Sequence, residues 1–168
     1  HMRMDEPVPR GHPKNYGYRG VDYDLNAPLN DPSLGGSYPC KHQRLGPVTA
    51  VFKAGGYINT RFGRGNPHKG GHCQFALSYD NGRNWVVLRT VVATCFLGHP
   101  PYMYRVRVPK GARNGRAVFA WTWVSAEGKR EFYMNCADIR IRGGSNRGAL
   151  TGPELLVTQL PGYPRVPE

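Results

Sequence analysis

Ala117-Val118-Phe119-Ala120-Trp121-Thr122-Trp123 sets its three largest side chains, Phe119, Trp121 and Trp123, at every second position. A period of two belongs to a strand, whose successive side chains point to opposite faces. Three aromatics on one face predict a buried central strand rather than a sugar-stacking surface. Other runs share the period. Cys73-Gln74-Phe75-Ala76-Leu77-Ser78-Tyr79 alternates and leads into Asp80-Asn81-Gly82-Arg83. Asn-Gly accepts positive φ at both central positions, which predicts a hairpin with its return strand over 84–92. Tyr104-Arg105-Val106-Arg107-Val108 alternates with its arginines outward. Short strands over 48–52 and 57–62 flank Gly55-Gly56, and a final strand pair is expected over about 131–142. With 22 Gly and 15 Pro as punctuation, this pattern predicts an all-β chain, an immunoglobulin-like or fibronectin-III-like β-sandwich with long loops.

The 168 residues are the size of one domain. Residues 1–47 read as irregular, with turn chemistry at Asn26-Ala27-Pro28 and Asp31-Pro32-Ser33. A loop of that length in a compact domain is usually functional or poorly ordered. The sandwich is expected over 1–142. Residues 143–168 are expected to be a C-terminal extension that packs on the sandwich, through Leu155-Leu156-Val157, or leads to a linker. No apolar run reaches the ~18 residues of a membrane span, so no membrane partner is expected. Lys+Arg of 23 against Asp+Glu of 11 gives a net charge of +12. Such a surface attracts polyanions and suggests an acidic cell-wall glycan as partner, or chitin within an acidic matrix.

Cys40, Cys73, Cys95 and Cys136 form no C-x-x-C pair, which argues against a zinc ribbon or a thioredoxin-like motif. Four spaced cysteines in a small β domain point to two disulfides and an oxidising compartment. Three pairings are open. Cys73–Cys95, tying neighbouring strands, and Cys40–Cys136, pinning the first long loop to a late strand, are preferred. If the protein is secreted, a leader has been removed and His1 is expected to be the mature terminus.

There is no G-x-S-x-G, P-loop, H-E-x-x-H or dinucleotide fingerprint, and no paired catalytic carboxylates stand out. The chemistry therefore falls to six histidines: His1, His12, His42, His68, His72 and His99. A terminal histidine offers its α-amine and imidazole Nδ1 to one metal, closing a chelate ring. A second imidazole then makes a flat three-nitrogen set, which favours copper over zinc or magnesium. His-Met at a terminus is equally the residue of a cloning site.

Further blocks weigh for the ligand. His1-Met2-Arg3-Met4-Asp5-Glu6-Pro7-Val8-Pro9 resembles H-M-x-M-x-x-P-V-P, the mature start of fungal lytic polysaccharide monooxygenases of the eleventh auxiliary-activity family. Tyr38-Pro39-Cys40-Lys41 resembles that family's F-P-C-K, and His68-Lys69-Gly70-Gly71-His72-Cys73-Gln74 its H-G-G-G-S-C-Q. Ala120-Trp121-Thr122-Trp123 followed by Gly128-Lys129-Arg130-Glu131-Phe132-Tyr133-Met134-Asn135-Cys136 resembles A-W-T-W and G-N-R-E-M-Y-M-N-C. The resemblance covers about residues 1–142, and the tail from Leu150 to Val157 is similar to tails of fungal relatives.

The resemblance implies one copper ion held by His1 and His68, with Tyr133 at the axial position and Glu131 nearby to hold water or peroxide. No other cofactor is expected. His72 stands where the family has Ser and competes with His68 as ligand. Lys69 replaces a Gly and adds positive charge beside the metal. His12, His42 and His99 are expected at the surface. Tyr16, Tyr18 and Tyr23 are loop candidates for sugar contact, or loop anchors. The implied activity is oxidative cleavage of glycosidic bonds in a structural polysaccharide, chitin or another cell-wall glycan, by a secreted monomer. It uses an external electron donor and hydrogen peroxide or dioxygen. The alternative is a non-catalytic histidine-brace copper-binding protein, in which a loop carboxylate such as Asp22 or Asp24 joins the metal. Arg140-Ile141-Arg142-Gly143-Gly144 invites a nucleic-acid reading, but that partner is not expected for a disulfide-bonded secreted domain.

Overall fold

The computed structural model describes residues 1–31, 33–34 and 36–168, so the expected turn at Asp31-Pro32-Ser33 lies partly outside the described residues. Seven strands follow in order: β1 (Ala50–Lys53), β2 (Tyr57–Phe62), β3 (Gly71–Ser78), β4 (Val86–Val91), β5 (Tyr102–Arg107), β6 (Gly115–Ser125) and β7 (Phe132–Arg142). Among the described residues there is no helix. Five strands form one sheet in the order β1-β7-β6-β3-β4, and β2 pairs with β5 in a second.

The aromatic alternation of β6 sets the core. Phe119, Trp121 and Trp123 are fully buried on one face. They meet Phe75 and Leu77 of β3 and Ile139 and Ile141 of β7, and across the sandwich Ile58 and Phe62 of β2 and Val106 of β5. Each such side chain contributes about 1.5–3 kcal/mol on burial. At the Asn-Gly turn, Asn81 and Gly82 both take positive φ, 55° and 86°, and β4 returns antiparallel to β3.

Residues 132–142 form one strand, not the expected pair. Nothing in the stretch supplies a turn. Asn135, the residue best suited to one, is buried, and its amide serves as a connector instead: Oδ1 accepts the Met4 N–H at 2.9 Å and Nδ2 donates to the Leu25 carbonyl at 3.1 Å. The strand is thus free to pair antiparallel with β6 on one side and parallel with β1 on the other.

The second face of the large sheet is divided along its length. Near the start of β7, Phe132, Met134 and Cys136 lie with Val118, Ala120 and Val124 under a cover of Leu29, Cys40, Val157 and Leu160. The tail is held there by the Val87 N–H donating to the Pro153 carbonyl at 2.9 Å and by the Leu156 N–H donating to Gln74 at 2.9 Å. Leu155 is partly buried and Leu156 exposed. At the other end of the same face Arg116, Arg140 and Arg142 meet solvent.

Both disulfides form, Cys40–Cys136 and Cys73–Cys95, in the preferred pairing. Cys40–Cys136 closes a separation of 96 residues and fastens the irregular first segment to β7. Cross-links over long loops remove the most freedom from the unfolded chain. Replacing both cysteines with serine is expected to cost about 2–5 kcal/mol. Chemical denaturation of the two proteins checks this; an unchanged midpoint would show the link to be dispensable.

Candidate metal centre

The site sits where the start of β7, the end of β6 and the loop entering β3 converge, and the amino-terminal segment is brought to it by backbone pairing. The Asp5 and Glu6 N–H groups donate to the Arg61 carbonyl at the end of β2, at 2.8 and 3.2 Å. Met2 and Met4 are buried in the core, as the alternation of residues 1–4 requires. His1 is then clamped reciprocally to Asn66: its nitrogen donates to the Asn66 carbonyl at 2.7 Å, and the Asn66 N–H donates to the His1 carbonyl at 2.9 Å. Gly65 is required here. A Cβ at that position would meet the His1 carbonyl oxygen at 2.5 Å and Met2 Sδ at 2.7 Å.

His68 arrives on a tight turn. His68 and Lys69 both hold positive φ, 43° and 56°, a left-handed conformation costly for non-glycine residues and concentrated at functional sites. Asn66 supports the turn as well, its Oδ1 accepting the His68 N–H at 3.1 Å. Gly128 gives the ring room, since a Cβ there would lie 3.0 Å from His68 Nδ1.

His1, His68 and Glu131 each offer a ligand atom, and these atoms lie within 4.8 Å of one another. The His1 and His68 rings are 5.7 Å apart. His68 Nε2 lies 3.3 Å from the Tyr133 hydroxyl and 3.8 Å from Glu131 Oε2. The Tyr133 hydroxyl donates to that same Glu131 oxygen. Behind the phenol, the Trp123 ring packs at 4.6 Å. Thus the four site residues predicted from sequence are gathered.

Electrostatics suit metal binding. Burial lowers the His68 pKa, and proximity to His1 adds to this, against the opposing charges of Glu131 and Glu127. The imidazole is thereby favoured in the neutral form that ligates. Burial of Tyr133, then the hydrogen bond to Glu131 and that residue's charge, push the phenol far above its ordinary range, so it stays protonated. All four cysteines are disulfide-bonded, leaving imidazole nitrogen and a single carboxylate as the donor set. Two half-buried imidazoles with one carboxylate fit a nitrogen-preferring transition metal such as copper rather than calcium or magnesium.

Other candidates go elsewhere. His72 is turned away from the cluster, and its Nδ1 accepts the Ala93 N–H at 3.0 Å. Lys69 points out to Glu127, 2.9 Å away on the exposed surface, so its added charge is paired. Asp22 is held by His42 Nε2 at 2.7 Å and Lys41 at 3.3 Å, and the Asp24 carbonyl accepts from Lys41. His99 is exposed and His42 partly so. His12 corrects the surface expectation: it is 3% exposed, because its Nε2 bonds Asp5 Oδ1 at 3.0 Å and so pins the first loop to the amino-terminal segment. Tyr16 and Tyr23 are 90% and 85% exposed, whereas the Tyr18 hydroxyl donates to the Arg44 carbonyl and anchors its loop. Asn66, Asn135, Gly65 and Gly128 are the supporting residues that sequence reasoning missed; the Asn66-Pro67-His68 turn was the available signal for the first.

Asp5 carries the pH dependence of this anchoring. Burial opposes its ionisation, but the His12 hydrogen bond, the Arg3 charge and the Gly63 N–H outweigh burial and hold its carboxyl below the usual range. The stabilisation is therefore present above the unfolded carboxylate pKa of about 3.9 and lost as pH falls through the lower folded value. Asp5→Asn is expected to lower the thermal midpoint at neutral pH and to change it little near pH ~2. Equal loss at both pH values would refute the assignment.

No protein-family model matches the chain. In solved structures the fold recurs in a cellulose-active polysaccharide monooxygenase from M. thermophila, with a TM-score of 0.55 at 14% identity over 75% of this chain and 64% of that one. It recurs also in the structure of HiLPMO9B, with a TM-score of 0.53 at 17% identity over 74% of this chain and 65% of that one. The sandwich is therefore of the type found in polysaccharide monooxygenases. Among curated proteins, AA11 family lytic polysaccharide monooxygenase A of Aspergillus fumigatus is 40% identical over 151 residues, covering 86% of this chain and 66% of the relative. An AA11 family lytic polysaccharide monooxygenase of Aspergillus oryzae is 29% identical over 167 residues, covering 88% of this chain and 37% of the relative. The chain belongs to the AA11 family of lytic polysaccharide monooxygenases. It spans about two thirds of the first of these relatives and little more than a third of the second.

Proposed function

We propose that the protein is a secreted, copper-dependent lytic polysaccharide monooxygenase that acts as a monomer on chitin or another structural wall glycan. Residues 1–142 would form the copper-bearing sandwich, with 143–168 as an extension packed on it. The observation that carries the reading is the convergence of ligand atoms from His1, His68 and Glu131 within 4.8 Å, with the Tyr133 phenol beside them. Membership of the AA11 family supports it.

In this reading His1 is the mature terminus. Its amine and ring, together with His68, would hold a copper ion, which would supply the one-electron chemistry for oxidising a carbon of the glycosidic bond with an external donor and peroxide or dioxygen. The chain's own groups do the rest. Asn66 orients His1 and the His68 turn. Tyr133, kept protonated by burial and by Glu131, offers a neutral oxygen beside His68. Glu131 accepts the Tyr133 proton in a hydrogen bond and leaves its second carboxylate oxygen to position water or peroxide. Exposed Tyr16 and Tyr23 are the proposed sugar contacts.

Mass spectrometry of soluble products from chitin, with copper, a reductant and peroxide, tests the proposal; oxidised oligosaccharides are expected. Glu131 within the donor group also favours the second reading, a copper-binding protein without catalysis. Tight copper binding with no oxidised product across neutral and acidic wall polymers would establish that second reading instead.

A further inference from the structure

The uncovered end of the large sheet's second face carries like charges set directly opposite one another. In the β6–β7 register Arg116 faces Arg140, and in the β1–β7 register Lys53 faces Arg142. Cross-strand like-charge pairs are destabilising, so the fold gains nothing from this ladder. Val51, beside Arg140 in register, is also exposed, at 51%. Among the described residues the one carboxylate within 4.0 Å of any of these four cations is Asp138, 3.6 Å from Arg116, and Asp138 is already paired with Arg10 at 2.7 Å. Arg140 and Arg142 therefore hold unneutralised charge along a shallow groove, with Asn114 and Asn146 at its rim, and the Lys53 side chain lies against Gly143 at its edge.

We propose that this groove is a docking surface for an acidic polysaccharide, a chain bearing carboxylates at sugar spacing. Three observations choose that partner. The cations run in a row along adjacent strands ~4.8 Å apart, which matches a linear polyanion better than a single small anion. No aromatic side chain lines the groove, so it lacks the stacking platform that single-stranded nucleic acid uses. Two disulfides place the protein in an oxidising compartment, where wall polymers and not nucleic acids are the abundant polyanions. The groove lies at the far end of β7 from Tyr133, nine residues or about 30 Å away. A polymer held there leaves the metal centre open, so the protein can be retained in an acidic matrix while its other end addresses a neutral one. The inference does not depend on the copper reading.

Binding of the intact, disulfide-bonded protein to immobilised polygalacturonate in 0.15 M NaCl tests it. Lys53→Ser/Arg140→Ser/Arg142→Ser is compared with a control that loses three exposed cations elsewhere, Arg19→Ser/Arg83→Ser/Arg165→Ser. The groove variant is expected to bind at least tenfold more weakly, with a shallower salt dependence, since fewer counterions are displaced. The control is expected to change less than twofold; copper affinity should match the parent in both, and the thermal midpoint of the groove variant should not fall below the parent's, because its like-charge pairs are relieved. Equal weakening in the two variants would show that net charge alone acts and would overturn the proposal. So would absence of binding by the parent, or tighter binding to single-stranded DNA that the groove substitutions abolish.

Discussion

His68→Ala is expected to weaken Cu(II) binding by at least about 100-fold, whereas His72→Ala should leave it within about twofold. Both residues sit in one short stretch, His68-Lys69-Gly70-Gly71-His72, and either suits the chemistry of a nitrogen ligand. The turn separates them. Positive φ from His68 through Gly71 swings the first ring toward His1, at 5.7 Å, while the second accepts the Ala93 N–H on another face. Substitutions that merely support a ligand typically cost 10–100-fold in metal affinity, so loss of a ligand belongs at or above the top of that range. A hundredfold is about 2.8 kcal/mol. Acetylating the terminal amine should weaken binding comparably if that amine is a ligand. Calorimetric titration with a competing chelator measures all three. Equal effects of the two histidine substitutions would discard the assignment, and an acetylated protein of undiminished affinity would remove the amine from it.

Asp138→Ala is expected to destabilise the protein by about 3–5 kcal/mol, a fall in thermal midpoint of roughly 10 °C for a chain of this size. Arg10 and Asp138 are each about 1% exposed. Their contact is bidentate, with Nε and Nη2 donating at 2.8 and 2.7 Å to the two carboxylate oxygens. The same guanidinium also donates to the His42 carbonyl and to Asn81 Oδ1, and Asp138 accepts the Gly46 N–H. One ion pair thus joins the first loop, the 42–46 segment, the hairpin tip and β7. Removing the carboxylate strands a buried cation, which accounts for the size of the effect. Arg10→Met/Asp138→Leu should recover much of the loss, because two apolar groups leave no charge unpaired. Denaturant unfolding of the parent and the two variants decides it. A single substitution costing under about 1 kcal/mol would mean that water reaches the pair.

The strands were legible because their periodicity is local. Phe119, Trp121 and Trp123 needed no partner to be identified as core, and Asn81-Gly82 carried its own turn. Long-range pairing was less so. Arg10 lies in an irregular segment, where no periodicity separates a solvated cation from a buried one; only the folded chain brings Asp138 to it, 128 residues later. His12 was placed at the surface for the same reason, since Asp5 becomes its partner through loop geometry. The site residues were recognisable from motif resemblance. Their supports, Asn66 through its backbone and Gly128 through its missing Cβ, leave little trace in a motif. The single 11-residue β7 is not legible as one strand, because the buried Asn135 that joins it to Met4 and Leu25 finds those partners only in the folded chain.

The roof formed by Val157 and Leu160 has a practical consequence. A recombinant version ended after the last strand would bare Phe132, Met134 and neighbouring valines as a continuous greasy strip beside unpaired backbone of β4. Such exposed surface promotes self-association. Proteases that nick the Gly- and Pro-rich stretch after residue 142 would have the same result, leaving a module prone to clumping without touching the residues that gather around His1.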